Sequence, residues 1–209
     1  MSNPISSVEA ICNLALHAIG ETYRIGNIWE GSIHSVTLLD IYAQTRDELL
    51  RKYSWEFAER NLSLVLLKVA PPGGYNIITP WSSIYPSPPW LYEYTYPDDC
   101  LKVRSIRDPN AFLPSFDPQP QVFSINNDNT YTPQVKVICC NVQNAVLTYT
   151  AQVTDITTWE PLFIQTLVDT LAAKISVSLS KITQSQDEDK KLETAETIND
   201  STSAIVTLG

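Results

Sequence analysis

The stretch AVLTYTAQVTDITTWEPLFIQTLVDTLAAKISVSLSKI, residues 145–182, changes its hydrophobic period partway along. Ala145 to Val153 reads as a strand, rich in β-branched and aromatic residues. From Thr158 the period becomes helical. Pro161 suits a first helical turn, and Ile164, Val168, Leu171, Ile175, Leu179 and Ile182 follow at spacings of 4, 3, 4, 4 and 3, a single apolar seam. A strand running straight into a long amphipathic helix excludes an all-α or all-β chain and makes the class α+β.

Toward the amino terminus, Val8, Ile11, Cys12, Ala15, Ala18 and Ile19 recur at helical spacing. Ser6 or Ser7 is available as cap and Gly20 as stop. After a loop carrying Trp29, Ser32 or Ser35 opens a longer helix with the stripe Val36, Leu39, Ala43, Arg46, Leu50 and Tyr53. Arg46 is costly to bury without a partner, so it either ties this helix to another segment or snorkels at the stripe's edge. Beyond residue 182, Ser185 to about Asn199 reads as a polar helix rich in Asp and Glu, with Leu192, Ala195 and Ile198 as its thin contact line.

Between the helical ends, PPGGYNIITPWSSIYPSPPW, residues 71–90, holds six prolines, two tryptophans and two tyrosines. This composition excludes helix and central strand. The loop either offers Tyr75, Trp81 and Tyr85 as a contact surface or packs onto its own domain. Strands are expected at Trp90–Tyr96, Cys100–Ile106, Gln121–Ile125, Gln134–Cys140 and Ala145–Val153, separated by Pro-rich and Asn-rich turns. The architecture expected is a helical bundle built from both chain ends, residues 1–61 and 156–200. An antiparallel β-sandwich or small barrel, residues 62–155, is inserted in it, and residues 201–209 form a tail.

The 209 residues carry a formal net charge of −9, with 44% hydrophobic and 18% charged residues. Such a chain is long enough to bury a core without staples. The acidic balance argues against gripping nucleic acid, which needs clustered Lys and Arg, and suits either simple solubility or a surface that DNA slides past. Cys12, Cys100, Cys139 and Cys140 lack metal-ligand spacing and are expected as buried free thiols of a reducing compartment. No basic region followed by an apolar core opens the chain, and no stretch approaches a membrane span, so neither export nor membrane insertion is expected.

Chemistry is sparse. His17 and His34 are the two histidines, each more readily read as structural than catalytic. Gly73-Gly74 follows two prolines and precedes no helix, so it is no phosphate cradle. Asp98 and Asp99 fall in a turn. Glu56, Glu59 and Glu93 are conceivable members of a carboxylate pair, but a cleft is needed to make one. No catalytic residue, cofactor or metal is expected.

Three segments together resemble the tail tubular protein A family of T7-like phages and the related head-to-tail adaptors of P22-like phages. They are SSVEAICNLALHAIGE, residues 6–21, YAQTRDELLRKYSWEFAERNLSL, residues 42–64, and PPWLYEYTYPDDCLKVRSI, residues 88–106. TDITTWEPLFIQTLVDTLAAKIS, residues 154–176, is a fourth, looser match. The matched Trp55, Phe57, Trp90 and Tyr92, with Leu171 of the last helix, are expected as structural core.

The resemblance implies a ring, usually dodecameric, at the head–tail junction of the virion and assembled in the host cytoplasm. Its partners would be the portal protein on one face and the tail nozzle or tube on the other, with DNA passing the lumen unbound and no membrane involved. Tyr75, Trp81 and Tyr85 of the loop and Ile205, Val206 and Leu208 of the tail are the expected contacts. Two other classes are open: a virion-associated glycan or peptidoglycan hydrolase, and a module that binds a tail fibre through the aromatic loop.

Overall fold

A computed structural model describes residues 7–109 and 121–179. The chain is mixed α+β and divides into two units, one of residues 1–46 and 155–209, the other of residues 47–154. The polar helix expected after Ser185 and the tail with Ile205, Val206 and Leu208 lie outside the described residues.

In the first unit, helix α1 spans Val8–Ala18. Ser7 caps it by accepting from Ala10 N at 3.1 Å, satisfying one of the orphan donors of the first turn. It stops at Gly20, whose φ of +84° is the left-handed conformation that glycine adopts without strain. Gly20 N donates to His17 O and Glu21 N to Leu16 O, a Schellman closure. The buried face is Ile11, Cys12, Ala15 and Leu16, so Ala18 is on the outside of the stripe.

Helix α2 spans Ile33–Lys52. Its cap is Ser32, whose hydroxyl accepts from Ser35 N at 3.2 Å. The buried stripe is Ser35, Leu38, Tyr42, Thr45, Arg46, Leu49 and Leu50. Val36, Ala43 and Tyr53, expected inside, are exposed. Two of the inward positions are the small polar residues Ser35 and Thr45, whose needs are met locally: the Ser35 hydroxyl donates to Ser32 O, and Thr45 Oγ1 accepts from Lys174 Nζ. The apolar residues alone therefore point to the wrong register. Arg46 is buried, next to Tyr42.

Helix α3 is described over Pro161–Leu179. Trp159 packs edge-on against Phe163, with ring centroids 4.9 Å apart. Phe163, Ile164, Leu167, Val168, Leu171, Ala172 and Ile175 are buried, so the seam is present and wider than its sequence pattern suggests. With a mean hydropathy of 1.4, α3 is long and apolar enough by composition to cross a membrane, contrary to the expectation of no such stretch. Its Leu, Ile, Val, Phe and Ala residues raise the average and its Thr and Ser residues add no charge, while its apolar face is used in the interior of the unit.

The second unit holds two open antiparallel sheets, and neither closes into a barrel. The first has the order β1 (Glu59–Ser63), β7 (Val146–Ala151), β4 (Cys100–Arg107). The second runs β2 (Leu66–Val69), β3 (Tyr92–Thr95), β6 (Val135–Cys140), β5 (Phe123–Asp128). β1 and β2 have no counterpart in the sequence reading. ERNLS of β1 is exposed throughout and carries no alternation, because it is an edge strand held by backbone pairing to β7.

Central strands behave differently. Val137 to Cys140 of β6 and Leu147 to Ala151 of β7 are buried at every residue, so both faces are covered. Cys139 and Cys140 therefore point to opposite faces, and both are fully buried, as is Cys12, while Cys100 is buried but for a small remnant. Trp55 is buried and donates from Nε1 to Leu49 O at 3.0 Å, satisfying an end carbonyl of α2.

Candidate functional site

Sheet register places a polar row on one face of the four-stranded sheet. Lys68 on β2 pairs with Glu93 on β3, Glu93 with Cys139 on β6, and Cys139 with Ser124 on β5. Asn126 and Asp128 follow Ser124 on the same face, because side chains alternate along a strand. Residues 60 positions apart are thereby brought into contact. Lys68 Nζ donates to the Asp128 carboxylate, to Thr130 Oγ1 at 3.0 Å and to Ser83 O at 3.1 Å. All three ammonium protons are used.

Glu93 is the group this arrangement leaves short. It is 4% exposed. Its Oε1 lies 3.6 Å from Lys68 Nζ and accepts no hydrogen bond. Desolvation pushes the Glu93 carboxyl above its ordinary range, against the attraction of Lys68 and with the charge of Asp128 adding to the rise. Asp128 also feels desolvation, but hydrogen bonds from Lys68 and Thr130 overcome it and hold its carboxyl down at about 2. In its protonated form Glu93 would donate to Asp128.

These residues line a cavity of about 310 Å³, together with Trp81 and Tyr85 of the proline-aromatic loop. The loop is closed at its neck by Ala70 N donating to Leu91 O at 2.8 Å. Inside it, Pro86 O accepts from the Tyr75 hydroxyl and from Trp81 Nε1, the latter at 2.9 Å. The Tyr75 and Tyr85 rings meet edge-on at 6.3 Å. Asn76 Oδ1 accepts from Ile78 N and Thr79 N, turning the chain so that Ile77 and Ile78 face outward at 99% and 91% exposure.

The two readings of the loop thus divide by residue. Tyr75 and Tyr85 are half-buried braces, Trp81 is half exposed, and the outward apolar groups are Ile77, Ile78 and Ile84. Sequence reasoning missed the isoleucines. Asn76, a turn-forming residue directly before them, was the available signal. Among the expected core residues, Trp55 and Leu171 are buried, whereas Phe57, Trp90 and Tyr92 are half-buried. The fully buried tyrosine of β3 is Tyr94, with its hydroxyl on Val142 O at 2.7 Å.

Two of the other acidic candidates have structural partners. Glu59 pairs with Arg104 at 3.1 Å, and Asp99 accepts from the Tyr149 hydroxyl at 3.0 Å. His34 stacks on Tyr23 and lies 3.6 Å from Glu21, while His17 is exposed. Among the described residues no group of His, Cys, Asp and Glu could hold a metal ion. No protein-family model matches the chain, and no curated protein matches its sequence.

Proposed function

We propose that the chain is a structural virion protein, one subunit of a head-to-tail adaptor ring that joins the portal to the tail nozzle or tube. The observation that carries this reading is the braced loop of residues 71–90, which presents Ile77, Ile78, Ile84 and Trp81 to solvent on a scaffold fixed by its own hydrogen bonds. Exposed apolar groups on a pre-ordered surface suit protein–protein contact, since little ordering entropy remains to be lost on binding. The resemblance of residues 6–21, 42–64 and 88–106 to phage adaptors supplies the kind of partner. The architecture that accompanies the proposal is a bundle of both helical ends with the two sheets inserted as a sandwich.

The test is to mix purified protein with portal rings from the same genome and image the product by negative stain. A second ring stacked coaxially on the portal, absent with either protein alone, is the expected result. Free portal rings beside unassembled protein at saturating concentration would sink the proposal. The hydrolase reading has the carboxyl pair of Glu93 and Asp128 in its favour, but the two groups are within hydrogen-bonding contact of each other. Glycoside cleavage requires them roughly 5 Å or more apart, across the sugar.

A further inference from the structure

We propose that the cavity beneath the proline-aromatic loop is a receptor for an arginine side chain of a protein partner, with Glu93 as the group that binds it. This assignment does not depend on the adaptor reading. Glu93 lines the cavity, and its buried Oε1, 3.6 Å from Lys68 Nζ, receives no hydrogen bond, because Lys68 has committed its three protons to Ser83, Asp128 and Thr130. A buried acceptor without a donor is costly, and a ligand that supplies one recovers that cost.

Charge selects a cation. Two carboxyl groups face one ammonium, so the cluster is neutral only while Glu93 keeps a proton and carries one net negative charge once it ionises. A guanidinium donating to Glu93 restores neutrality and displaces that proton. Shape selects a planar cation. Trp81 and Tyr85 both line the cavity, and aromatic faces take a flat, weakly hydrated guanidinium better than a compact ammonium. The volume of about 310 Å³ sits at the small end of ligand clefts, the size expected for one side chain rather than a long oligomer.

Binding is then linked to protonation. The groups that act on Glu93 are Lys68 from β2, Asp128 from β5, Cys139 from β6 and Tyr75 from the loop. Of these, Asp128 is held down at about 2, and Lys68, Cys139 and Tyr75 are all shifted upward, which leaves the Glu93 carboxyl, raised by desolvation, as the group whose protonation an incoming cation changes.

The experiment titrates the full chain with N-acetyl-arginine methylamide, followed by calorimetry in buffers of different ionisation enthalpy and by NMR of the Trp81 indole. Expected are saturable binding, proton release, affinity that rises as pH is raised through the Glu93 titration, and at least tenfold weaker binding of the neutral citrulline analogue. Glu93→Gln should weaken binding at least tenfold and remove its pH dependence. Trp81→Ala, in the exposed loop, should weaken it several-fold and serves if the first variant does not fold. Absence of binding, equal binding of the citrulline analogue, or binding without proton release would overturn the assignment.

Discussion

Asn13 grips the backbone of Ile25 with both ends of its amide: Nδ2 donates to Ile25 O at 3.0 Å, and Oδ1 accepts from Ile25 N at 2.9 Å. This two-point contact ties α1 to the loop that precedes α2 and directs the buried Ile25 and Ile28 inward. Asn13→Leu keeps the branched outline and the number of heavy side-chain atoms and strands both backbone groups. A loss of about 1–3 kcal/mol in unfolding free energy, read from urea denaturation, is the expected result. Asn13→Asp keeps only the acceptor and should fall in between.

The register of α2 separates two otherwise similar substitutions. Leu38 is fully buried and Val36 is half exposed, although both are apolar and two residues apart. Leu38→Ala should cost about 2–5 kcal/mol through lost burial and the cavity left behind. Val36→Ala should stay within about 0.5 kcal/mol, since the alanine regains helix propensity. Equal losses would mean that the helix is rotated from the orientation described.

The contrast shows which parts of the fold could be read in advance. Strongly periodic apolar segments were legible: α1 with its serine cap and glycine stop, α3 with Leu171 at its centre, and strands β3 to β7. α2 was legible as a helix but not in its facing, because Ser35 and Thr45 take inward positions that hydropathy assigns to solvent. β1 was not legible at all, since an edge strand needs only backbone pairing. In the candidate site, the loop announced itself by prolines and aromatics. Glu93 was visible only as one of three conceivable carboxylates, and Lys68 and Asp128 not at all, because only sheet register brings residues from three separated strands into one row.

Burial also fixes the chemistry of the thiols. Desolvation, with a smaller contribution from Glu9, pushes Cys12 up to about 12, and desolvation with the charge of Glu93 raises Cys139 to about 11. Cys100 and Cys140 are raised by burial as well. Since the thiolate is the reactive form, an aromatic disulfide reagent at pH 8 should label none of the four in the folded protein and all four in denaturant. Rapid labelling of one thiol under native conditions would show that its surroundings open.

Stability below and above the ordinary carboxylate range should respond to opposite members of the polar row. Asp128 titrates at about 2 when folded against an ordinary value of 3.8, so the unfolded chain takes up the proton first. Its contribution is present above pH 4 and is lost as pH falls toward 2. Glu93 is raised above its ordinary 4.5, so the unfolded chain releases the proton first. Its contribution is complete below that value and declines as pH rises through the folded pKa. Denaturation midpoints measured from pH 2 to 8 should lose the acid-side slope in Asp128→Asn and the decline above pH 4.5 in Glu93→Gln.

The braced loop allows binding to be separated from folding. Ile77 and Ile78 protrude from a turn held by Asn76, so replacing both by serine removes apolar surface without opening a cavity. Stability should change by no more than about 0.5 kcal/mol, while attachment to the portal or tail partner, read by co-sedimentation, should drop at least tenfold. Tyr75→Phe makes the complementary change: it leaves the outward isoleucines in place and removes the hydroxyl that donates to Pro86 O. That variant should lose about 1 kcal/mol and bind more weakly only to the extent that the loop loses its order. If the isoleucine variant attached as well as the parent and the tyrosine variant did not, contact would be made by the interior aromatics, and the outward surface would have no part in assembly.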